Sequence, residues 1–235
     1  MLPRNIWAAE KDVYVVGSTA TGVPFTFLDV KTNTLTGAMV DIINAVANDA
    51  GFRVDLQVVA FSALIPSLTT GKIDIIATAM VKTPEREKVV DFSLSVLPYS
   101  AGLVVPSSDK TDYRSIADLK SKTVGAQVGT KYPAQLQSAG AKEVKTYDSL
   151  SDILRDLHFG RIEACYGDAP ILAYQMNQTK DPNVRFVSSF TPPSVDDVCL
   201  IVRKGETELL GRINKSIQRI KTTTIKSILE RWHVG

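Results

Sequence analysis

Apolar residues recur at two different periods along this chain, and the two periods alternate. Met39, Ile42, Ile43, Val46, Ala47 and Ala50 fall three or four apart on one helical face, which Gly51 ends. Before that helix, residues 12–17 (DVYVVG) read as a strand. After it, residues 52–59 alternate as a second strand, and residues 73–78 (IDIIAT) form a β-branched run that predicts a third, buried on both faces. Leu64, Ile65 and Leu68 supply the apolar face of a short helix just ahead of the third strand. The first third of the chain therefore spells β-α-β-α-β, the doubly wound α/β pattern.

Past Phe92 the pattern changes. Residues 93–98 make a polar–apolar connector, and residues 99–105 a strand that can carry the chain elsewhere. A second α/β set follows. It has a strand over 123–127, a Gly129–Thr130 turn opening a helix over 131–138, and a strand over 143–147. Ser149 caps a helix that runs through His158 to Gly160, and a strand over 162–166 ends in Gly167-Asp168-Ala169-Pro170. Asp168 is expected to cap the next helix, with Pro170 in its first turn. A strand over 184–187, a loop with two prolines and a strand over 198–202 lead to an amphipathic tail, 206–220 and 224–232, striped by Leu209, Ile213, Ile217 and Ile220. Two α/β sets joined by two extended connectors predict two doubly wound lobes with a cleft between them.

Composition narrows the function. With 44% hydrophobic and 22% charged residues in 235, the chain is an ordinary globular protein. A net charge of +2, from basic residues scattered among nearly as many acids, argues against a nucleic-acid partner. No apolar run is long enough to span a membrane. The amino end, MLPRNIWAAEKD, lacks the apolar core of a signal peptide, and Trp7 is expected to pack near the surface. Cys165 and Cys199 lie in apolar, strand-like runs and read as two buried free thiols. His158 and His233 stand far apart with no ligand at metal spacing, so neither a metal nor a cofactor is expected.

The chemistry concentrates in residues 61–92, FSALIPSLTTGKIDIIATAMVKTPEREKVVDF. Thr83-Pro84-Glu85-Arg86 is a helix start, with Thr as N-cap and Pro at the first helical position. Arg86 thus sits just beyond the carboxyl end of a central strand, where open α/β sheets hold ligands. Two readings stand on position alone: an exposed arginine paired with Glu85 or Asp91, or a guanidinium fork for a carboxylate. The run ALIPSL, then KID, T-x-x-R and VVDFS resembles the bacterial solute-binding proteins for polar amino acids, the family 3, type II periplasmic class that serves ABC transporters. The resemblance extends over essentially the whole chain from Val13 and favours the second reading.

It implies two lobes, the first discontinuous (1–97 plus 196–235) and the second 98–195. It also implies a periplasmic, monomeric protein, its signal removed, with a small-molecule ligand and a membrane ABC permease as partners. In the family the arginine matching Arg86 grips the ligand's α-carboxylate, and an acid matching Asp168 takes its ammonium. Gly129-Thr130 matches a Gly-Ser/Thr turn whose amides help hold the carboxylate. Phe61 stands where a residue packs against the ligand side chain, and Ala79 and Met80 line the cleft. Each has a plainer alternative: helix cap for Asp168, routine capped turn for Thr130, lobe core for Phe61. The chain also departs from the pattern. Thr19 and Gly22 occupy places that hold an acid and an aromatic in relatives binding cationic or amide amino acids, Val81 replaces a frequent serine, and Lys131 a small hydroxyl residue. Gly22 is expected to open volume and Lys131 to add positive charge at the mouth. The ligand expected is a polar or acidic amino acid or a bulky derivative such as an opine, rather than arginine, lysine or histidine. The rival reading is a cyclohexadienyl-dehydratase-like enzyme on the same scaffold, for which Asp168 and Glu163 are the available acids. A receptor's ligand-binding lobe pair is a third.

Overall fold

The computed structural model describes residues 13–234; Trp7, the rest of the amino-terminal stretch and Asp12 at the head of the expected first strand lie outside them. The chain opens with β1 (Val13–Ser18) and folds a small antiparallel meander, β2 (Thr21–Gly22), β3 (Thr26–Leu28) and β4 (Leu35–Thr36), where the sequence suggested only a loop. The meander satisfies the start of α1 (Ala38–Ala50), since Ala38 N donates to the Pro24 carbonyl and Met39 N to that of Phe25. The expected face of α1 is buried through Ala47, and Gly51 ends the helix in the left-handed conformation. There follow β5 (Arg53–Val58), α2 (Leu64–Thr69), β6 (Ile75–Ile76), α3 (Pro84–Glu87), β7 (Val90–Phe92) and the long β8 (Leu97–Pro106). The second set is β9 (Thr123–Gln127), α4 (Tyr132–Ser138), β10 (Glu143–Tyr147), α5 (Leu150–His158), β11 (Ala164–Asp168), α6 (Ala169–Thr179) and β12 (Val184–Phe186). The chain returns through β13 (Val195–Val198) and β14 (Ile201–Arg203) and ends in α7 (Thr207–Ile220) and α8 (Lys226–Arg231), joined by a π-helical turn.

Besides the meander, the described residues form two larger sheets, one per lobe. The first has the order β5-β1-β6-β14-β7, parallel among β5, β1 and β6, with β14 antiparallel to its neighbours. The second has the order β10-β9-β11-β8-β12, parallel among β10, β9 and β11, with β8 antiparallel. Side chains alternate across a strand, and in the central strands both faces are buried. Ile75 and Val202 join the apolar cluster under α1 and α7, whereas Ile76 and Ile201 join Leu64 and Leu68 of α2. In the second sheet Val104 and Cys165 face one way, and Leu103, Ala164 and Tyr166 the other. The fold is thus mixed α/β in two lobes, with apolar central strands buried on both faces and the edge strands β5 and β10 more exposed.

The chain passes between the sheets twice, outward on β8 and back on β13, and these two strands pair antiparallel from Leu97↔Val198 to Ser100↔Val195. The strand expected over 198–202 is broken after Val198, because Leu200 N donates to Ser93 Oγ at 2.9 Å instead of to a neighbouring strand. The strand expected over 73–78 shrinks to Ile75–Ile76. One cause is Asp74, 5% exposed, whose carboxylate accepts from Val15 N at 2.9 Å and from Arg203 at 3.2 Å, so a side chain takes a ladder partner's place. The strand expected over 162–166 lies two residues further on, at Ala164–Asp168.

The tail closes the first lobe. Leu209, Ile213 and Ile217 of α7 are buried, each contributing roughly 1.5–3 kcal/mol, and Ser216 Oγ donates to the Val46 carbonyl at 3.2 Å. Ile220 is only partly covered at the helix end. Trp232 Nε1 donates to Asp41 at 2.7 Å while its ring stands edge-on to Phe27. Both cysteines are free and buried, as expected.

Candidate functional site

Parallel strands of both sheets end on one cleft. From the first lobe, β1 runs out into Thr19, β5 leads to Phe61, and β6 to Thr78 and Ala79. From the second, β9 ends at Gln127 ahead of Gly129, and β11 at Asp168.

Thr83 fixes where Arg86 leaves the backbone, since its hydroxyl accepts from Arg86 N at 3.3 Å and Pro84 opens the helix. The guanidinium donates from Nη1 to the Val81 carbonyl at 2.6 Å and from Nη2 to the Gly129 carbonyl at 3.1 Å, reaching from the first lobe to the second. Its Cζ lies 5.8 Å from the centroid of the Phe61 ring. Asp91, one of the two acids named as alternative partners for it, is held by Lys204 at 2.7 Å. Burial lowers the pKa of Arg86, opposed chiefly by the charge of Asp168, and the side chain remains a cation throughout. The fork thus closes on two neutral carbonyls. A carboxylate in place of either would make a charge-assisted bond roughly twice as strong as a neutral one.

Asp168 faces this arginine from the end of β11. It occupies the N-cap position of α6, but its side chain makes no cap bond; Oδ1 instead accepts from the Tyr132 hydroxyl at 2.5 Å. At 7% exposure the carboxyl is pushed up to about 6 by burial, with the Tyr132 hydrogen bond, Arg86 and Lys131 pulling the other way. Tyr132 is itself 3% exposed and stands edge-on to Tyr166.

Lys131, expected to add positive charge at the mouth, lines the outer groove with its ammonium bound to Asp196 and, at 3.0 Å, to Ser194. Thr130 Oγ1 donates to the Gln127 carbonyl at 2.7 Å and accepts from Tyr132 N at 3.3 Å, which stiffens the turn into α4. Gly129 has a φ of +78°, and a Cβ there would lie 2.8 Å from Ser62 Cα, so only glycine lets the lobes approach this closely.

A small cavity of about 10 Å³ lies between the lobes, bounded by Thr19, Gly22, Phe61, Thr78, Ala79 and Asp168 among others. It has room for about one water, so a larger guest requires the lobes to part. Through Thr19, Thr21 and Phe61 it adjoins a recess of about 220 Å³ that Ser62 and Asp148 also line. A larger groove, about 830 Å³, runs outside it between α3 and α4 and takes in Arg86, Gly129, Thr130 and Lys131. Size does not mark the chemistry here, because the groove misses Asp168. The two charged groups stand on either side of the contact between the lobes.

Of the sequence-predicted residues, Thr19, Gly22, Phe61, Ala79 and Asp168 meet at the cavity, and Arg86, Gly129, Thr130 and Lys131 at the groove. Met80 does neither: at 1% exposure its side chain packs with Leu64, Leu68 and Ile73 in the core. Val81 is also buried, and contributes the carbonyl that holds Arg86. At Gly22, which lines the cavity, a Cβ would meet Thr26 Oγ1 at 3.3 Å. Thr19 is buried in a triangle of hydroxyls, 2.7 Å from Thr26 and 3.2 Å from Thr78, which are themselves 3.2 Å apart. Sequence reasoning missed Thr78, Gln127 and Tyr132. Thr78, beside Ala79 at the end of the strand run, was within reach of it; Tyr132 gave no signal, because nothing local aims a helix-start tyrosine at an acid 36 residues on. Glu163, the second acid considered for catalysis, bonds Thr123 N at 2.8 Å and Lys122 at 3.3 Å and does not line the cavity.

Comparison with known proteins agrees with this geometry. Residues 14–235 match the profile of the bacterial extracellular solute-binding proteins, family 3. The L-cystine-binding protein TcyA of Bacillus subtilis (strain 168) is 29% identical over 97% of this chain and 84% of its own length. The ABC transporter arginine-binding protein 1 of Escherichia coli (strain K12) is 31% identical over 96% of this chain and 91% of its own. The solved structure of an ancestral arginine-binding protein bound to arginine superposes with a TM-score of 0.86, at 32% identity, covering 94% of this chain and 98% of that one. These relatives are binding proteins, not enzymes.

Proposed function

This chain belongs to the bacterial extracellular solute-binding proteins, family 3, and from that membership we propose that its cleft captures an amino acid or amino-acid derivative by hinge closure and delivers it, in the periplasm, to a membrane ABC permease. The observation that carries this reading is the Arg86 fork, which reaches across the cleft to a second-lobe carbonyl while a buried carboxylate, Asp168, bounds the cavity. An α-carboxylate would displace the Gly129 carbonyl from Arg86, and an ammonium would take the oxygen of Asp168 that Tyr132 leaves open. Neither charge is matched until both lobes hold the same guest. The paired strands β8 and β13 form the hinge about which the lobes close, as in other binding proteins of this kind.

The lining favours a ligand other than a small basic amino acid. Thr19 and Gly22 offer neither an acid nor an aromatic, which leaves Phe61 as an aromatic and Asp148 as an acid at the recess, and hydroxyls of Thr19, Thr21, Thr78 and Ser62 ring the cavity and that recess. That surface suits a polar extension such as the polyhydroxyl chain of an opine-like sugar–amino acid conjugate. Calorimetry against arginine, glutamine, glutamate, cystine and such a conjugate tests this choice, and micromolar arginine binding with no response to the others defeats it. Arg86→Ala tests the site itself. Truncating one partner of a buried charge pair costs roughly 2–5 kcal/mol, so affinity for the best ligand of the panel should fall by about 30-fold to several thousand-fold with the fold intact. An affinity within threefold of the parent rules Arg86 out.

A further inference from the structure

Tyr132 does not line the cavity, yet its hydroxyl meets the carboxylate assigned to the ligand's ammonium. We infer that Tyr132 is a positioning residue: by donating to Oδ1 of Asp168 it holds the carboxylate ionised with its other oxygen free for an ammonium, and so sets the acidity at which capture fails. The inference rests on the reading of Asp168 as the ammonium's partner.

The surroundings of Asp168 leave the direct hydrogen bond to Tyr132. Arg86, from α3, favours the charged carboxylate by its own charge, as Lys131 does, but does not bond it, because its guanidinium is held by the carbonyls of Val81 and Gly129. Lys131, at the start of α4, is committed to Asp196 and Ser194. Asp196, on β13, disfavours a second negative charge nearby. Tyr99, on β8, is close enough to feel that charge, yet its hydroxyl is buried without any hydrogen-bond partner. Tyr166 and Cys165, on β11 itself, are neighbours by charge rather than by hydrogen bond. Among the described residues, the bond from Tyr132 is therefore the one hydrogen bond the carboxylate receives from a side chain.

A carboxyl sealed from water with no donor would keep its proton well above the usual carboxylate range, and a protonated acid cannot pair with an ammonium. Tyr132 can aim its hydroxyl because its ring is fixed, 3% exposed and 5.1 Å from Tyr166 between centroids. The Tyr166 hydroxyl is anchored in turn on Gln135 at 3.2 Å. Tyr132→Phe removes one oxygen and leaves that packing in place.

The test begins on the ligand-free protein. Carbon-13 carboxyl resonances of labelled aspartate are followed from pH 4 to pH 9, with Asp168 identified by its absence in Asp168→Asn. In Tyr132→Phe the midpoint for Asp168 should move up by about one pH unit or more; a midpoint within about half a unit of the parent overturns the inference. Melting temperatures matched to within a few degrees confirm that the variant is folded. Binding of L-glutamine and L-cystine is then measured by calorimetry at several pH values. Tyr132→Phe should weaken binding of whichever probe binds by up to about tenfold near pH 6, and the loss should vanish at higher pH. A loss equal at every pH also overturns it, since mere structural damage gives that pattern. If Asp168→Asn binds as tightly as the parent while the titration of Asp168 still depends on Tyr132, the amino-acid reading of Asp168 fails and the link between the two residues stands.

Discussion

Gly129→Ala separates closure from folding. Gly129 adopts a φ of +78°, and a methyl group there would lie 2.8 Å from Cα and 3.1 Å from Cβ of Ser62, which belongs to the opposite lobe. Two penalties follow, of different kinds. The left-handed backbone costs an L-residue about 1–2 kcal/mol whether the cleft is open or shut, which at this chain length lowers the melting temperature by roughly 2–8 °C. The overlap with Ser62 exists only when the lobes meet, and it involves backbone, which cannot swing aside as a side chain can. Overpacking of this sort costs about 1–3 kcal/mol, a factor of about 5–150 in affinity for any ligand that binds by closure. Gly51→Ala provides the control: Gly51 has a nearly identical φ of +74° and nothing within 4 Å of the added carbon. It should lose comparable stability and no affinity. Isothermal calorimetry and thermal unfolding on the three proteins give both quantities. A Kd for Gly129→Ala within twofold of the parent, or an equal affinity loss in Gly51→Ala, refutes the idea that this contact belongs to the closed state.

Further outcomes follow from other contacts. Asp168 carries a folded-state pKa raised from 3.8 to about 6; as pH rises through that interval the unfolded chain ionises and the folded one resists, so stability falls and the cost above pH 6 is on the order of 3 kcal/mol. Urea denaturation of the ligand-free protein should therefore find Asp168→Asn more stable than the parent at pH 7 and similar near pH 4, and no gain at pH 7 contradicts this. Arg203→Ala removes the guanidinium that bonds the buried Asp74 carboxylate at 3.2 Å and frees the Ile73 carbonyl, bonded at 2.8 Å; a loss of roughly 2–5 kcal/mol is expected, and one below about 1 kcal/mol would show that the remaining partners of Asp74 sustain it. Burial raises the pKa of both thiols, that of Cys199 to about 12, so neither should react with Ellman's reagent at pH 8 until guanidinium unfolds the chain; rapid labelling of the native protein would mean that one of them is reachable.

Most of the architecture was written in local pattern. The face of α1, the strands over 123–127 and 143–147, and the Ser149 cap came from spacing and cap chemistry alone, because each depends on neighbours in sequence. The misses share one cause. Asp74 shortens its own strand by bonding Val15, 59 residues away, and Ser93 breaks another by accepting from Leu200, 107 residues away. Asp168 looked like a helix cap until Tyr132 claimed it, and nothing in the sequence hinted that Asp196 would hold the ammonium of Lys131. Position in the fold placed Arg86 at a strand's carboxyl end, but only the assembled lobes bring the Gly129 carbonyl to its fork. Partners distant in sequence leave no periodic trace.

The order of strands in the first sheet bears on how the molecule is born. The edge of β6 that β1 leaves open is covered by β14, cut from residues 201–203, and the same segment carries β7 on its other side. Every strand on the main path of the second sheet, by contrast, has been made by residue 186. A chain emerging amino end first can therefore finish its later half while its earlier half still waits, with raw strand edges exposed, for the last forty or so residues to arrive.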